Sequence, residues 1–106
     1  MISWLNLLIA AIFEMGWPVG LKMAQIGNYK IFWIVFAIIA MILSGYFLFL
    51  AQKDIPIGTA YAVWTGIGMI GTFIIGILAF GDAGSLMRFI GVLLILSGVV
   101  VLKLSS

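Results

Sequence analysis

Residues 2–21 read ISWLNLLIAAIFEMGWPVGL, and this stretch decides the class of protein. It is almost wholly apolar and about as long as a helix must be to cross a bilayer core. Glu14 sits near the middle, roughly 3 Å along the axis from the centre. An ionised carboxyl at that depth costs at least ~2.5 kcal/mol, so it belongs against protein or water rather than lipid. The default role for such a residue is to handle a proton or a cation. The alternative is a neutral, hydrogen-bonded glutamic acid packed between helices, although an apolar residue would pack there at less cost.

Three more apolar stretches follow. Residues 31–51 and 57–80 carry no charge, and 89–102 extends a fourth span that begins near residue 86. Across all 106 residues, 66% are hydrophobic and only 8% charged, and the mean hydropathy is +1.40. These values lie far outside the soluble range. The expectation is an all-α membrane protein with one four-helix transmembrane domain over residues 1–106 and helices at about 3–22, 31–51, 57–80 and 86–104. The connections have room only for turns. The first span is too long for a signal-peptide core, carries Glu14 and Pro18 and lacks an A-x-A site, so it is expected to be retained. The net charge of +2 comes from five scattered cations, which make no nucleic-acid patch. With no cysteine, disulfide and thiol chemistry are excluded.

Helix 1 is expected to end near Lys22, before a turn at Gln25-Ile26-Gly27-Asn28. Pro56 suits the first turn of helix 3, where its missing N–H is harmless. Gly81-Asp82-Ala83-Gly84 reads as a turn and Ser85 as the N-cap of helix 4. Asp54 and Asp82 fall in turns and read as solvated surface charges. Four spans put Lys53 and Lys103 on one side and Lys22, Lys30 and Arg88 on the other. That bias is too small for the positive-inside rule to fix a direction. Either other cues choose one orientation, or the chain inserts both ways and forms antiparallel dimers. No internal repeat is present, whereas transporters commonly build two access states from inverted repeats. Pairing with an inverted copy would supply that symmetry. Four helices are also few to enclose a polar site, so an oligomer is expected.

Around Glu14, Trp17 follows three residues on and Ala10 precedes by four, so the three share a face. Ala10, Ala11 and Gly16 are small enough to admit another backbone. Pro18 cannot donate to the Glu14 carbonyl and should loosen the helix there. In helix 3, Tyr61, Trp64, Thr65 and Gly68 recur at helical spacing and form one aromatic and hydroxyl-bearing stripe. An interfacial aromatic belt would also explain Tyr61, and fits the deeper Trp64 less well. Ser44 is a hydroxyl deep in helix 2, either bonded back to its own helix or partnering a polar site. Gly91 and Gly98, seven apart in helix 4, share a face and suggest a contact with another subunit.

A carboxylate with hydroxyls and indole faces suits a small organic cation. A guanidinium can bind a carboxylate through two parallel bonds, and aromatic faces stabilise cations where water is excluded. Hydrolytic machinery is missing, with no His, no Cys and no second acid at membrane depth. No enzyme, metal site or cofactor is expected.

Over essentially its whole length the chain resembles the small multidrug resistance family. The resemblance rests on Glu14 with Trp17, on Gly58-Thr59-Ala60-Tyr61-Ala62-Val63-Trp64-Thr65-Gly66-Ile67-Gly68, and on the Leu102-Lys103 ending. Trp17, the Trp-Thr-Gly-Ile-Gly segment and Leu-Lys look more like the guanidinium exporter subtype than the quaternary ammonium exporters. The resemblance implies a dual-topology, antiparallel homodimer in the bacterial inner membrane that exchanges guanidinium for protons. By the same resemblance Glu14 is the shared proton and substrate site, and Trp17, Ser44, Tyr61 and Trp64 line the pocket or hydrogen-bond the glutamate. Pro18 and Ala11 depart from the subtype's usual residues and bear on pocket width. The alternatives are a broad exporter of quaternary ammonium cations and a non-transporting structural membrane subunit. The buried acid beside Trp17 argues against the second.

Overall fold

A computed structural model describes residues 2–105 of the chain. Four helices follow one another: α1 (Ile2–Ile26), α2 (Lys30–Ala51), α3 (Ile57–Phe80) and α4 (Leu86–Ser105). The shortest has 20 residues, about 30 Å at 1.5 Å per residue, so all four are long enough to span the hydrocarbon layer. Their composition agrees with that role.

α1 runs one turn past Lys22, because residues 23–26 contain no helix breaker and Ala24 is buried. The chain leaves the helix at Gly27, whose N–H closes the last turn on Met23 O at 2.8 Å. Pro56 stands at the N-cap of α3 rather than inside its first turn, and its carbonyl accepts the Ala60 N–H at 2.9 Å. α3 ends at Gly81, whose φ of 70° is left-handed, a conformation in which glycine avoids the Cβ penalty. Arg88 N–H donates to the Ser85 hydroxyl at 3.4 Å, a long bond in N-cap geometry.

α1 packs along α2 and α3, and α4 packs on α3, with little contact between α2 and α3. The helices thus lie side by side in the order α2, α1, α3, α4, forming a slab of 44 × 34 × 17 Å. Small residues permit this. Ala10 and Ala11 are wholly buried, and a Cβ on Gly20 would stand 2.9 Å from Phe36 Cδ1 and 3.2 Å from the Trp33 carbonyl. A compact cluster of Leu7, Ala51, Ile55, Ala60, Val63 and Val99 closes one end, with Ile55 pointing into it from the 52–56 turn. At that end the Ser3 hydroxyl donates to Asp54 at 2.6 Å, so Asp54, exposed in its turn, is also tied to α1. Lys103 Nζ lies 4.8 Å from the Trp4 ring centre. The start of α1, the 52–56 turn and the end of α4 therefore meet on one side. Val99 is the one described residue of α4 that is buried, and added carbons at Gly91 and Gly98 would meet nothing within 4 Å.

The α1–α2 approach leads to a test. Gly20→Val should destabilise the detergent-solubilised protein by about 1–3 kcal/mol, since a backbone carbonyl cannot yield as a side chain can. Gly45→Ala, with nothing within 4 Å of the new carbon, should leave the melting midpoint unchanged or slightly raised. Melting followed by circular dichroism reads both.

Candidate functional site around Glu14

The carboxyl of Glu14 is half-buried where α1, α2 and α3 meet. α3 makes room for it at Gly68, where a Cβ would stand 2.8 Å from Glu14 Cγ and 3.3 Å from its Cβ. From its own helix, Trp17 Nε1–H donates to Glu14 Oε1 at 2.8 Å. The spacing of three residues stacks the two side chains on one face and makes this bond local.

From α2, the Ser44 hydroxyl donates to the Ala10 carbonyl at 2.9 Å and lies 3.4 Å from Glu14 Oε1. A hydroxyl has a single proton to donate, and the shorter distance assigns it to Ala10. Ser44 in turn accepts the Trp64 Nε1–H from α3 at 2.8 Å. One buried hydroxyl thus pins α1, α2 and α3 together beside the carboxyl. The Ser44 hydroxyl does not bond back to its own helix; it bonds across to α1 and stands beside the polar Glu14.

The Trp17 indole and the Ser44 hydroxyl both stand on the Oε1 side, and the indole supplies the hydrogen bond there. Oε2 receives none among the described residues, so its lone pairs are available to a proton or a cation. The carboxyl opens on a groove of about 570 Å³ between α1, α3 and α4. Trp17, Thr65 and Gly68 line it beside Glu14, and Phe73 and Ile95 give it apolar walls.

Trp17, Ser44 and Trp64 therefore surround the glutamate directly or at one remove. Tyr61 lies on the same stripe of α3 but packs on Trp64, with ring centres 5.4 Å apart, and is 56% exposed. Thr65 lines the groove and donates its hydroxyl back to the Tyr61 carbonyl. Gly91 borders the groove, whereas Gly98 does not line it. The sequence reading missed Asp82 and Arg88, which border the same groove as Glu14. Asp82 is exposed in its turn, as the sequence suggests, and also borders the groove. The signal that could have found it is the recurrence of Gly68, Thr72 and Gly76 every four residues along α3.

A family model described as Small Multidrug Resistance protein matches residues 2–95. The chain belongs to the small multidrug resistance family. A guanidinium exporter of Yersinia pseudotuberculosis serotype I (strain IP32953) is 43% identical to it over 104 residues, covering 98% of this chain and 99% of that protein. A guanidinium exporter of Escherichia coli (strain K12) is 44% identical over 98% of both, and one from Proteus vulgaris is 42% identical. As a family member with four apolar spans, the chain is a multi-pass protein of the bacterial inner membrane. It is a transporter and not an enzyme.

Removing the Ser44 hydroxyl tests its role as a pin. Ser44→Ala leaves the Trp64 indole N–H without its acceptor, and should destabilise the protein by about 1–3 kcal/mol. Ser44→Thr keeps the hydroxyl and should recover part of that loss in the same melting measurement.

Proposed function

We propose that this small multidrug resistance protein exports guanidinium and small substituted guanidines in exchange for protons, with Glu14 binding both. The observation that carries this is the split environment of the Glu14 carboxyl. One oxygen is held by Trp17 at 2.8 Å, and the other has no donor among the described residues, in a side chain that borders the groove. A planar, N–H-rich cation suits such an acceptor, because its charge-assisted bonds have direction. A tetraalkylammonium offers no N–H and relies on apolar and aromatic contact. The relatives named guanidinium exporter, at 42–44% identity, support the same substrate.

Exchange follows from competition. A proton and a cation cannot both occupy the free lone pairs of one carboxyl, so loading one displaces the other. Glu14 is half-open in a slab 17 Å thick, and a second copy would shield it from lipid. In the proposed assembly two chains pair antiparallel, each giving one Glu14 to a shared pocket. Such a pair presents the same site to either side when its conformation inverts. The open faces of Gly91 and Gly98 offer α4 as a place for that contact. Tyr61, exposed in the single chain, would be covered and could reach the pocket from its stripe.

Uptake of radiolabelled guanidinium into proteoliposomes under a pH gradient tests the chemistry. The wild-type protein should transport guanidinium and respond weakly to tetramethylammonium as competitor. Glu14→Gln should abolish proton-driven uptake while leaving the protein folded, since an amide releases no proton at these pH values. Glu14→Asp should retain coupling with altered affinity. Tighter competition by tetramethylammonium than by unlabelled guanidinium would move the substrate assignment to quaternary ammonium cations.

Topology tests the assembly. The cations divide two against three, Lys53 and Lys103 against Lys22, Lys30 and Arg88, so C-terminal reporter fusions should reveal both orientations. One or two lysines added to a single side should deplete one orientation and lower activity together. A C-terminus found wholly on one side in fully active protein would rule out the self-paired antiparallel dimer.

A further inference from the structure

Gly68, Thr72 and Gly76 follow one another at four-residue steps on α3 and so share a face. The two glycines are eight residues apart, about 12 Å along the axis. A carboxylate side chain occupies the space above each. Glu14 lies over Gly68, and a Cβ added to Gly76 would collide with the Asp82 carboxylate. Between them Thr72 donates its hydroxyl to the Gly68 carbonyl at 2.8 Å. The groove of about 570 Å³ is lined by Glu14, Thr72 and Asp82 together. It therefore runs from the membrane-embedded carboxyl to a second carboxyl at the aqueous edge.

Asp82 is held at that edge by the backbone. Gly81 turns the chain with φ 70°, and the Asp82 N–H donates to Gly76 O at 3.0 Å. The other charges at the edge are positive. Arg88 lines the same groove, its guanidinium 4.9 Å from the Phe73 ring centre. Lys22 lines an adjoining cavity of about 190 Å³ that also includes Thr72 and Asp82. A cation moving along this groove to Glu14 passes Arg88 on its wall with Lys22 in the adjoining cavity, and low-dielectric walls concentrate the effect of such charges on its arrival. Apart from Glu14, Asp82 is the acidic side chain that lines these two cavities.

We propose that Asp82 sets the electrostatics of the groove's entrance, offsetting Arg88 and Lys22 so that cationic substrates reach Glu14. This rests on the reading that the chain carries cations through Glu14. It adds a second carboxylate that governs capture without being the exchange site. The turn is held by the Asp82 backbone N–H on Gly76 O, which asparagine keeps together with nearly the same side-chain shape. Asp82→Asn therefore removes the charge alone.

The experiment measures initial rates of guanidinium uptake into proteoliposomes for wild-type protein, Asp82→Asn, Arg88→Gln and the double variant. At an ionic strength of about 10 mM, where the screening length is about 30 Å, Asp82→Asn should raise KM about three- to tenfold and leave the saturated rate within about twofold. At about 0.15 M the screening length falls to about 8 Å, shorter than the path from Asp82 to Glu14, and the KM difference should shrink. Arg88→Gln should lower KM on the wild-type background, a gain that does not depend on how the Asp82 variant folds, and should recover much of the KM of Asp82→Asn in the double variant. A wild-type KM in Asp82→Asn at low salt, a loss confined to the saturated rate, or a KM shift indifferent to salt and to Arg88→Gln would each overturn the proposal. Wild-type protein that carries no guanidinium would instead overturn the proposed function.

Discussion

A carboxyl group in the middle of a membrane must have part of its hydrogen bonding met by protein, and the arrangement around Glu14 follows from that constraint. Trp17 meets it from the same helix, at 2.8 Å on Oε1. A fully satisfied carboxylate would be inert, and an unsatisfied one would be expelled from the bilayer interior. The structure lies between these limits. It fixes the orientation of the group through one oxygen and leaves the other without a donor among the described residues, in a side chain that borders the groove.

The surrounding helices are organised by the same need. Gly68 lacks the Cβ that would strike the Glu14 stem, so α3 can approach α1 at the level of the acid. Ser44 then joins the three helices through bonds to Ala10 and from Trp64. In lipid, where apolar surface gains little from association, close backbone approach and interhelical hydrogen bonds carry the packing. α4 takes almost no part in this and presents most of its surface outward, which leaves it free for contact with another chain.

The two ends of the slab differ in kind. One is fastened by local ties, Ser3 to Asp54 at 2.6 Å and Lys103 beside the Trp4 ring. The other carries charges along open cavities, with Asp82, Arg88 and Lys22 around them. In the proposed exchange, a fastened end and an open end would give access to Glu14 from one side of each chain. Inverted pairing would give each face of a dimer one end of each type.

Much of this was legible in the residues. Long apolar runs specify spanning helices because no other single-chain element satisfies its own backbone in lipid, and a lone acid within such a run marks a candidate site by its energetic cost. The Glu14–Trp17 pairing could be read too, since a three-residue spacing in a helix is itself a spatial relation. The end of α1 was misplaced by one turn, because polar Gln25 is compatible with helix and Gly27 is where the chain leaves it. Contacts between helices were beyond sequence reading. Periodicity gives the face of a residue but not which helix covers it. Only the tertiary structure decided that Ser44 bonds across to α1, that Tyr61 packs on Trp64 rather than on the acid, and that Asp82 borders the same groove as Glu14. The physical reason is that each helix satisfies its backbone alone and carries its own pattern, whereas a groove exists only where separate helices are held apart by the side chains between them.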